Sequence, residues 1–410
     1  MKRSEFTTFV LSNQHNIVNK KHIICNIFRD MDNENIKHTY REIVHQPQMW
    51  LKEYNLILEN ISKIKSFISD SFISGEYEII LTGAGSSAFI GDVLTGLFFK
   101  KGINNCKSVA TTDIITHPKL YLNPKKKVVL ISFARSGNSP ESLATVKIAN
   151  SICKEVKHII ITCNFEGELA LNSNNDNSLL ILLPPETNDK SLAMTSSFTT
   201  MMLAGLLISD INQIETLQPV ITQICNSVNY ILNNYEKPII EIANRFFNRA
   251  VFLGSGEKKG IAEECHLKLQ ELTDGKVICK FDSFLGFRHG PKVVINKDTL
   301  LVYLFSNDKY TLQYEKDLVE QVNLKNKVIA QIAVSQQKIE IPTVRFDLEF
   351  ITMPNIYTDS DYNCLLYVLA GQLIGYFKSM QFRLDPDNPS ISGNIARVVE
   401  GVKIYDNYTI

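Results

Sequence analysis

Two stretches of the chain concentrate hydroxyl groups and glycine where a strand gives way to a helix. "SFARSGNSPES", residues 132–142, follows the apolar run "KKKVVLI" with four serines, a glycine, an asparagine and an arginine. Ser136, Gly137, Asn138 and Ser139 can offer hydroxyl and backbone N–H donors to an anion, and Ser139 before Pro140 has the form of an N-cap followed by proline at the first helical position. An ordinary capped loop would have the same composition. No Gly-Lys-Ser/Thr is present, so the stretch is not a nucleotide P-loop. "TGAGSSAFIGD" sets Gly83, Gly85, Ser86 and Ser87 at the end of a second strand. The dinucleotide fingerprint would require glycine at 88, where Ala88 stands, so a Rossmann cofactor is disfavoured. In a parallel sheet, two such loops would meet in one crevice at the carboxyl ends of their strands. "LAMTSSFTTMM" places Thr195, Ser196 and Ser197 at the head of an apolar helix, either as a cap with a small-residue packing face or as a further wall of that crevice.

A different kind of chemistry is suggested by "LKLQELTDGKVICKFDSFLGFRHGPKVVI". Lys268 and Glu271 lie three apart and share one helix face; at a surface they would be an ion pair worth a few tenths of a kcal/mol. His289 sits beside Arg288 and before a Gly-Pro turn. A loop histidine is commonly a plain surface residue, but near a carboxylate it can pass protons close to neutral pH.

These residues need elements to position them. "YEIILTGAGSSAFIGDVLTGLFF" and "KKKVVLISFARSGNSPESLATVKIAN" each read as strand, turn and helix, with "KHIIITCN" as a further strand, which implies a parallel sheet covered by helices on both faces. The plan recurs. "NRAVFLGSGEKKGIAEECHLKLQEL", "DTLLVYLFSNDKY" and "NKVIAQIAVS" repeat it, with Gly83 to Ser136 spanning 53 residues and Gly254 to Ser306 spanning 52. The chain is therefore expected to be an internal duplication whose copies diverged in chemistry. The expected layout is an N-terminal arm over 1–35, a first α/β domain over 60–215, a second over 235–385 and a docking tail over 386–410. Before the first domain, Ile43, Trp50, Leu51, Leu56, Ile57, Ile61, Ile64 and Phe67 recur at helical intervals, with Pro47 as a break or kink. The segment between the halves, "QIETLQPVITQICNSVNYILNNYEKPIIEIANRF", reads as helical.

The bulk composition narrows the function class. The chain has 410 residues with 43 basic and 43 acidic side chains, a balance that points away from nucleic acid and anionic membrane as partners. Its eight cysteines form no C-x-x-C pair, which argues against a zinc knuckle or disulfide framework, so no metal is expected and the reducing cytoplasm is the expected compartment. Neither a signal peptide nor a membrane-spanning run is expected.

The combination of "GAGSSAFIGD", "SFARSGNSPES", "AMTSSFT", "KLQEL" and "GFRHGPK" resembles the double sugar-isomerase (SIS) domain proteins. With "LPPETNDKSLAMTSS" added, the chain is similar to one bacterial subfamily, the galactosamine-6-phosphate deaminases long described as tagatose-6-phosphate ketose/aldose isomerases. The resemblance implies an α/β fold of two tandem SIS domains, each a flavodoxin-like three-layer α/β/α sheet. It implies that Ser87, Ser136 and Ser139, with nearby Gly85, Ser86, Asn138 and Thr195, hold a hexosamine or hexose 6-phosphate. Arg135 stands in that loop where a related synthase has an amide. Glu271 would be the proton-transfer carboxylate, Lys268 its neighbour, and His289 the ring-opening histidine, supplied in the synthase by the neighbouring subunit. A homodimer or higher homo-oligomer, and no cofactor, would follow. Hydrolytic deamination, aldose/ketose isomerisation and a non-catalytic sugar-phosphate sensor remain the three readings. The sensor lacks room for a helix-turn-helix module in the polar first 35 residues.

Overall fold

A computed structural model describes residues 37–73, 75–173, 176–354, 360–399 and 401–405. The N-terminal arm expected over 1–35 lies outside the described residues. Among the described residues, ten strands form two five-stranded sheets, all of whose pairings are parallel. The first contains β1 (Tyr77–Thr82), β2 (Cys106–Ser108), β3 (Lys127–Ala134), β4 (Glu155–Thr162) and β5 (Ser178–Leu182) in the order β2-β1-β3-β4-β5. The second contains β6 (Arg249–Gly254), β7 (Ile278–Asp282), β8 (Thr299–Leu304), β9 (Ala330–Ser335) and β10 (Leu348–Ile351), ordered β7-β6-β8-β9-β10. The two orders are the same permutation, and it is the doubly wound 2-1-3-4-5 arrangement of flavodoxin-like sheets. Register repeats as well: Tyr77 pairs with Lys127 and Arg249 with Thr299, an offset of 50 residues in both halves. The duplication inferred from loop spacing is thus a duplication of topology.

Eight helices bear on the site: α1 (Gln46–Glu59), α2 (Ser86–Lys100), α3 (Pro140–Ile152), α4 (Ser196–Ser209), α5 (Gln218–Ala243), α6 (Glu257–Leu272), α7 (Lys309–Lys325) and α8 (Cys364–Gln381). Strand alternation divides the apolar side chains between layers. Ile79, Leu81, Val129 and Ile131 face a central core shared with Phe252, Leu300 and Val302 of the second sheet, whereas Ile80, Val128 and Leu130 face an outer core of the first half and Val251, Leu253 and Leu301 one of the second. The halves consequently share one interior. They meet most closely where α2 packs on α6; a Cβ added at Gly260 would lie 2.8 Å from the Val93 backbone nitrogen, so no larger residue fits this contact.

Helical periodicity before β1 was right about Ile43, Trp50, Ile57 and Ile64, which are buried, but Leu51 and Leu56 are 41% and 37% exposed. Both fall on the outer side of α1, whose inner side (Met49, Trp50, Glu53, Tyr54 and Ile57) already fills the space against the core. Pro47 starts α1, and a second break at Asn60 precedes the helix Ile61–Ile73. The connecting segment is the 26-residue helix α5, which carries Pro238 internally. The tail is docked: Asp387 accepts from the Thr39 amide at 2.8 Å, the Asp387 carbonyl accepts from the Leu192 amide at 2.9 Å, and the Ser392 hydroxyl donates to Asp274 at 2.9 Å.

Candidate active site

The connections on either side of β1 and β3 run in opposite directions, which opens a crevice at their carboxyl ends. The Gly83–Ser87 turn and the 135–139 loop stand there together. Gly83 is required by close approach, since a Cβ on it would sit 2.5 Å from the Ser87 carbonyl carbon; Gly85 takes φ +55°, ψ −131°, a conformation that side chains disfavour. This tight turn starts α2 with Ser86 and Ser87 in its first turn. Ser87 lies with its hydroxyl 4.0 Å from the Met194 sulfur. In the second loop, the Asn138 amide donates to Ser136 Oγ at 3.3 Å and the Ser139 hydroxyl donates to Glu141 at 2.6 Å. Pro140 does begin α3 with Ser139 before it, but the serine hydroxyl turns to Glu141 and makes no helix-capping bond. Asn138 is exposed, and its side-chain oxygen accepts from the Glu168 amide at 2.9 Å.

From the other half, α6 reaches this crevice. Lys268 is only 1% exposed and its ammonium donates to Ser86 Oγ at 3.0 Å, a contact between residues 182 apart in sequence. The same ammonium is 2.7 Å from Glu271 and 3.3 Å from Glu264, whose side chains are 22% and 0% exposed. The surface ion pair that the spacing alone would allow is excluded: the lysine is buried between two carboxylates, with Glu271 alone looking outward. Burial by itself would lower the Lys268 ammonium; the charges of Glu264 and Glu271 outweigh it and hold the group above its ordinary value. Desolvation pushes the Glu264 carboxyl up to about 7, with Lys268 and Ser86 pulling against it. Glu264 escaped the sequence reading although its i,i+4 spacing from Lys268 marks the same helix face.

Other expected residues lie elsewhere. Thr195, Ser196 and Ser197 are fully buried and turned to Asp189, which accepts from the Thr195 and Ser197 amides at 2.8 and 2.9 Å and from the Ser197 hydroxyl at 2.6 Å. The anion position at the head of α4 is filled from within, so Thr195 is not presented to the crevice. Arg135 is also turned inward; its guanidinium donates to the carbonyls of Leu192, at 3.0 Å, and of Arg397 in the tail. Arg397 in turn donates to the Asp189 carbonyl at 2.8 Å and to Asn188 Oδ1 at 2.7 Å, tying the tail to the wall behind the crevice. His289 is exposed after β7, and its imidazole has no hydrogen-bond partner among the described residues. One chain therefore unites Ser86, Lys268 and Glu271 beside the serine loops and leaves His289 outside that group.

Residues 72–209 match the SIS domain family. The chain is 38% identical over 371 residues to D-galactosamine-6-phosphate deaminase AgaS of Escherichia coli O157:H7, covering 90% of this chain and 95% of the relative. It is 37% identical to the protein of that name from Shewanella sp. strain ANA-3, covering 90% and 91%. Among solved structures, the tagatose-6-phosphate ketose/aldose isomerase of Escherichia coli superposes with a TM-score of 0.82 at 34% identity, covering 91% of this chain and 97% of that one.

Proposed function

The chain belongs to the family of D-galactosamine-6-phosphate deaminases named AgaS, and from that premise we propose that it converts D-galactosamine 6-phosphate and water to D-tagatose 6-phosphate and ammonia. The observation that carries the reading is the contact of Lys268 with Ser86, which ties a lysine–carboxylate pair of one half to the donor-rich crevice of the other. In this reading Ser87, Ser136 and Ser139, with the amides of their loops, hold the 6-phosphate, and the helix ends α2 and α3 direct their positive dipole toward it. The phosphate is a handle and is not transferred.

The reaction then proceeds on the rest of the sugar. Ring opening takes a proton from the anomeric hydroxyl and returns one to the ring oxygen, a task suited to His289. Glu271, at the mouth of the crevice, removes the C2 proton and delivers it to C1. The amine-bearing C2 becomes a ketimine, which water hydrolyses to the ketose and ammonia. The Lys268 ammonium orients Glu271 and offsets negative charge that develops on the enolamine oxygen. Because His289 is exposed within one chain, the proposal has a second copy of the chain present its histidine to this crevice, which makes a homodimer the smallest active unit. The cytoplasm is the proposed compartment, and no described helix is long and apolar enough to cross a membrane.

Plain aldose/ketose isomerisation is the second reading, supported by the name of the solved Escherichia coli relative. It needs the same base and ring opener. Ammonia and ketose should be measured over galactosamine, glucosamine and N-acetylgalactosamine 6-phosphates and the neutral galactose 6-phosphate. Equimolar ammonia and ketose from galactosamine 6-phosphate is the expected result; product from the neutral sugar phosphate alone would overturn the deaminase reading.

A further inference from the structure

The second sheet has a crevice built on the same frame as the first. Gly254 stands in for Gly83, with an added Cβ only 2.2 Å from the Lys258 carbonyl oxygen, and Gly256 repeats Gly85 with φ +57°, ψ −131°. The turn again opens a long helix, α6, and the strand beside it, β8, again runs through a short polar loop, Ser306–Asp308, into α7. A frame of this kind gathers unpaired N–H groups and positive helix ends at one point.

Its contents differ. Lys258 stands four residues after Gly254, where Ser87 stands four after Gly83, and is 6% exposed. Glu315, from the second turn of α7, is fully buried and turns its carboxylate back into the crevice. There Oε2 accepts from the Ser306 amide at 2.8 Å, and Ser255 and Lys258 act on the carboxylate from close by, each pulling its pKa down against burial. The other oxygen, Oε1, is buried with no hydrogen-bond partner. The matching helix of the first half, "PESLATVKIANSI", has Glu141 as its sole acid, and that residue lies in the first turn on Ser139. A carboxylate has the charge sign and acceptor character of one edge of a phosphate, and Glu315 holds the Ser306 N–H donor that such a ligand would take.

We propose that the second crevice is an oxyanion cradle closed by the chain's own Glu315, so that each chain admits one phosphate ester and not two. Removing the carboxylate would leave the Ser306 amide without its acceptor, the Ser255 hydroxyl facing the vacated space and Lys258 with one counter-charge fewer. Glu257, 2.9 Å from Lys258, is the nearby charge that opposes an entering anion, and Lys100 at 3.6 Å offsets it. An inorganic oxyanion of phosphate size matches the vacated donors.

The test compares full-length wild type, Glu315→Ala and Glu315→Gln by calorimetric titration with inorganic phosphate. It reads the difference between proteins, so the result holds whether or not the first crevice binds phosphate. Glu315→Ala should bind one phosphate per chain more than wild type, and Glu315→Gln, whose amide still fills the place, none more. A folded Glu315→Ala protein with the wild-type stoichiometry overturns the proposal, as does an equal gain in Glu315→Gln. If Glu315→Ala does not yield folded protein, Glu315→Ser is read by the same two criteria.

Discussion

The crevices at the ends of β1/β3 and of β6/β8 share strand order, register and both glycines, yet one is lined by serines and the other is filled from inside by Glu315. The first keeps Ser87, Ser136 and Ser139 at the strand ends; the second replaces serine by Lys258 and brings in Glu315. The proposed catalytic groups are divided against that pattern. The buried Glu264–Lys268–Glu271 group belongs to α6, which rises from the filled crevice, but its lysine points across the shared interior to Ser86. Duplication supplied two supports of the same topology, and on the proposed reading divergence proceeded in side chains alone: one copy kept the donors that hold the phosphate, while the helix of the other carries the groups that move the proton. The Lys268–Ser86 bond ties the two halves together where α2 packs on α6.

The largest test of that division concerns His289. Proteins with Glu271→Gln and with His289→Ala should each be nearly inactive. Refolded together, they should recover about a quarter of wild-type activity, because half the dimers carry one site with both residues intact. Absence of recovery would place both residues in one chain's site. Next in size is the effect of Glu264. Its carboxyl rises from an ordinary 4.5 to about 7 on folding, so its support is complete below the unfolded value and is withdrawn as the pH rises through the folded one. Wild type should lose roughly 3 kcal/mol relative to Glu264→Gln between pH 4.5 and 7.5, read from denaturant midpoints; parallel curves would contradict the burial argument.

Smaller effects separate the two crevices directly. Gly83→Ala and Gly254→Ala should each cost about 1–3 kcal/mol of stability by overpacking, but only the first should weaken substrate affinity. Equal losses of affinity would mean that both cradles serve the reaction. Ser136→Ala should raise KM roughly tenfold with little change in kcat, as expected for loss of one hydrogen bond to a charged ligand; a kcat effect alone would move Ser136 from holding to chemistry.

What could be read from sequence was local. Strand, glycine turn and serine-headed helix follow each other within a few residues, and their repetition at nearly equal spacing exposed the duplicated fold. Lys268 and Glu271 were visible as neighbours on one helix, but their burial was not, because it arises from packing against α2 and α8 far away in the chain. Thr195 shows the opposite error. Its hydroxyl-rich surroundings suggested a ligand site, whereas Asp189, six residues earlier, takes those donors once the chain turns back on itself. Glu315 gave no signal at all, since a glutamate in the second turn of an ordinary helix becomes informative only when Ser306 is seen beside it.

The central claim is that the first half holds the sugar phosphate and the second half's Glu271 moves the proton. It is tested most directly by titrating Glu271→Gln with galactosamine 6-phosphate while following ammonia release. Binding should stay within a few-fold of the wild-type KM while kcat falls about 10²–10⁴-fold. Turnover at the wild-type rate, or loss of binding equal to the loss of turnover, would contradict it.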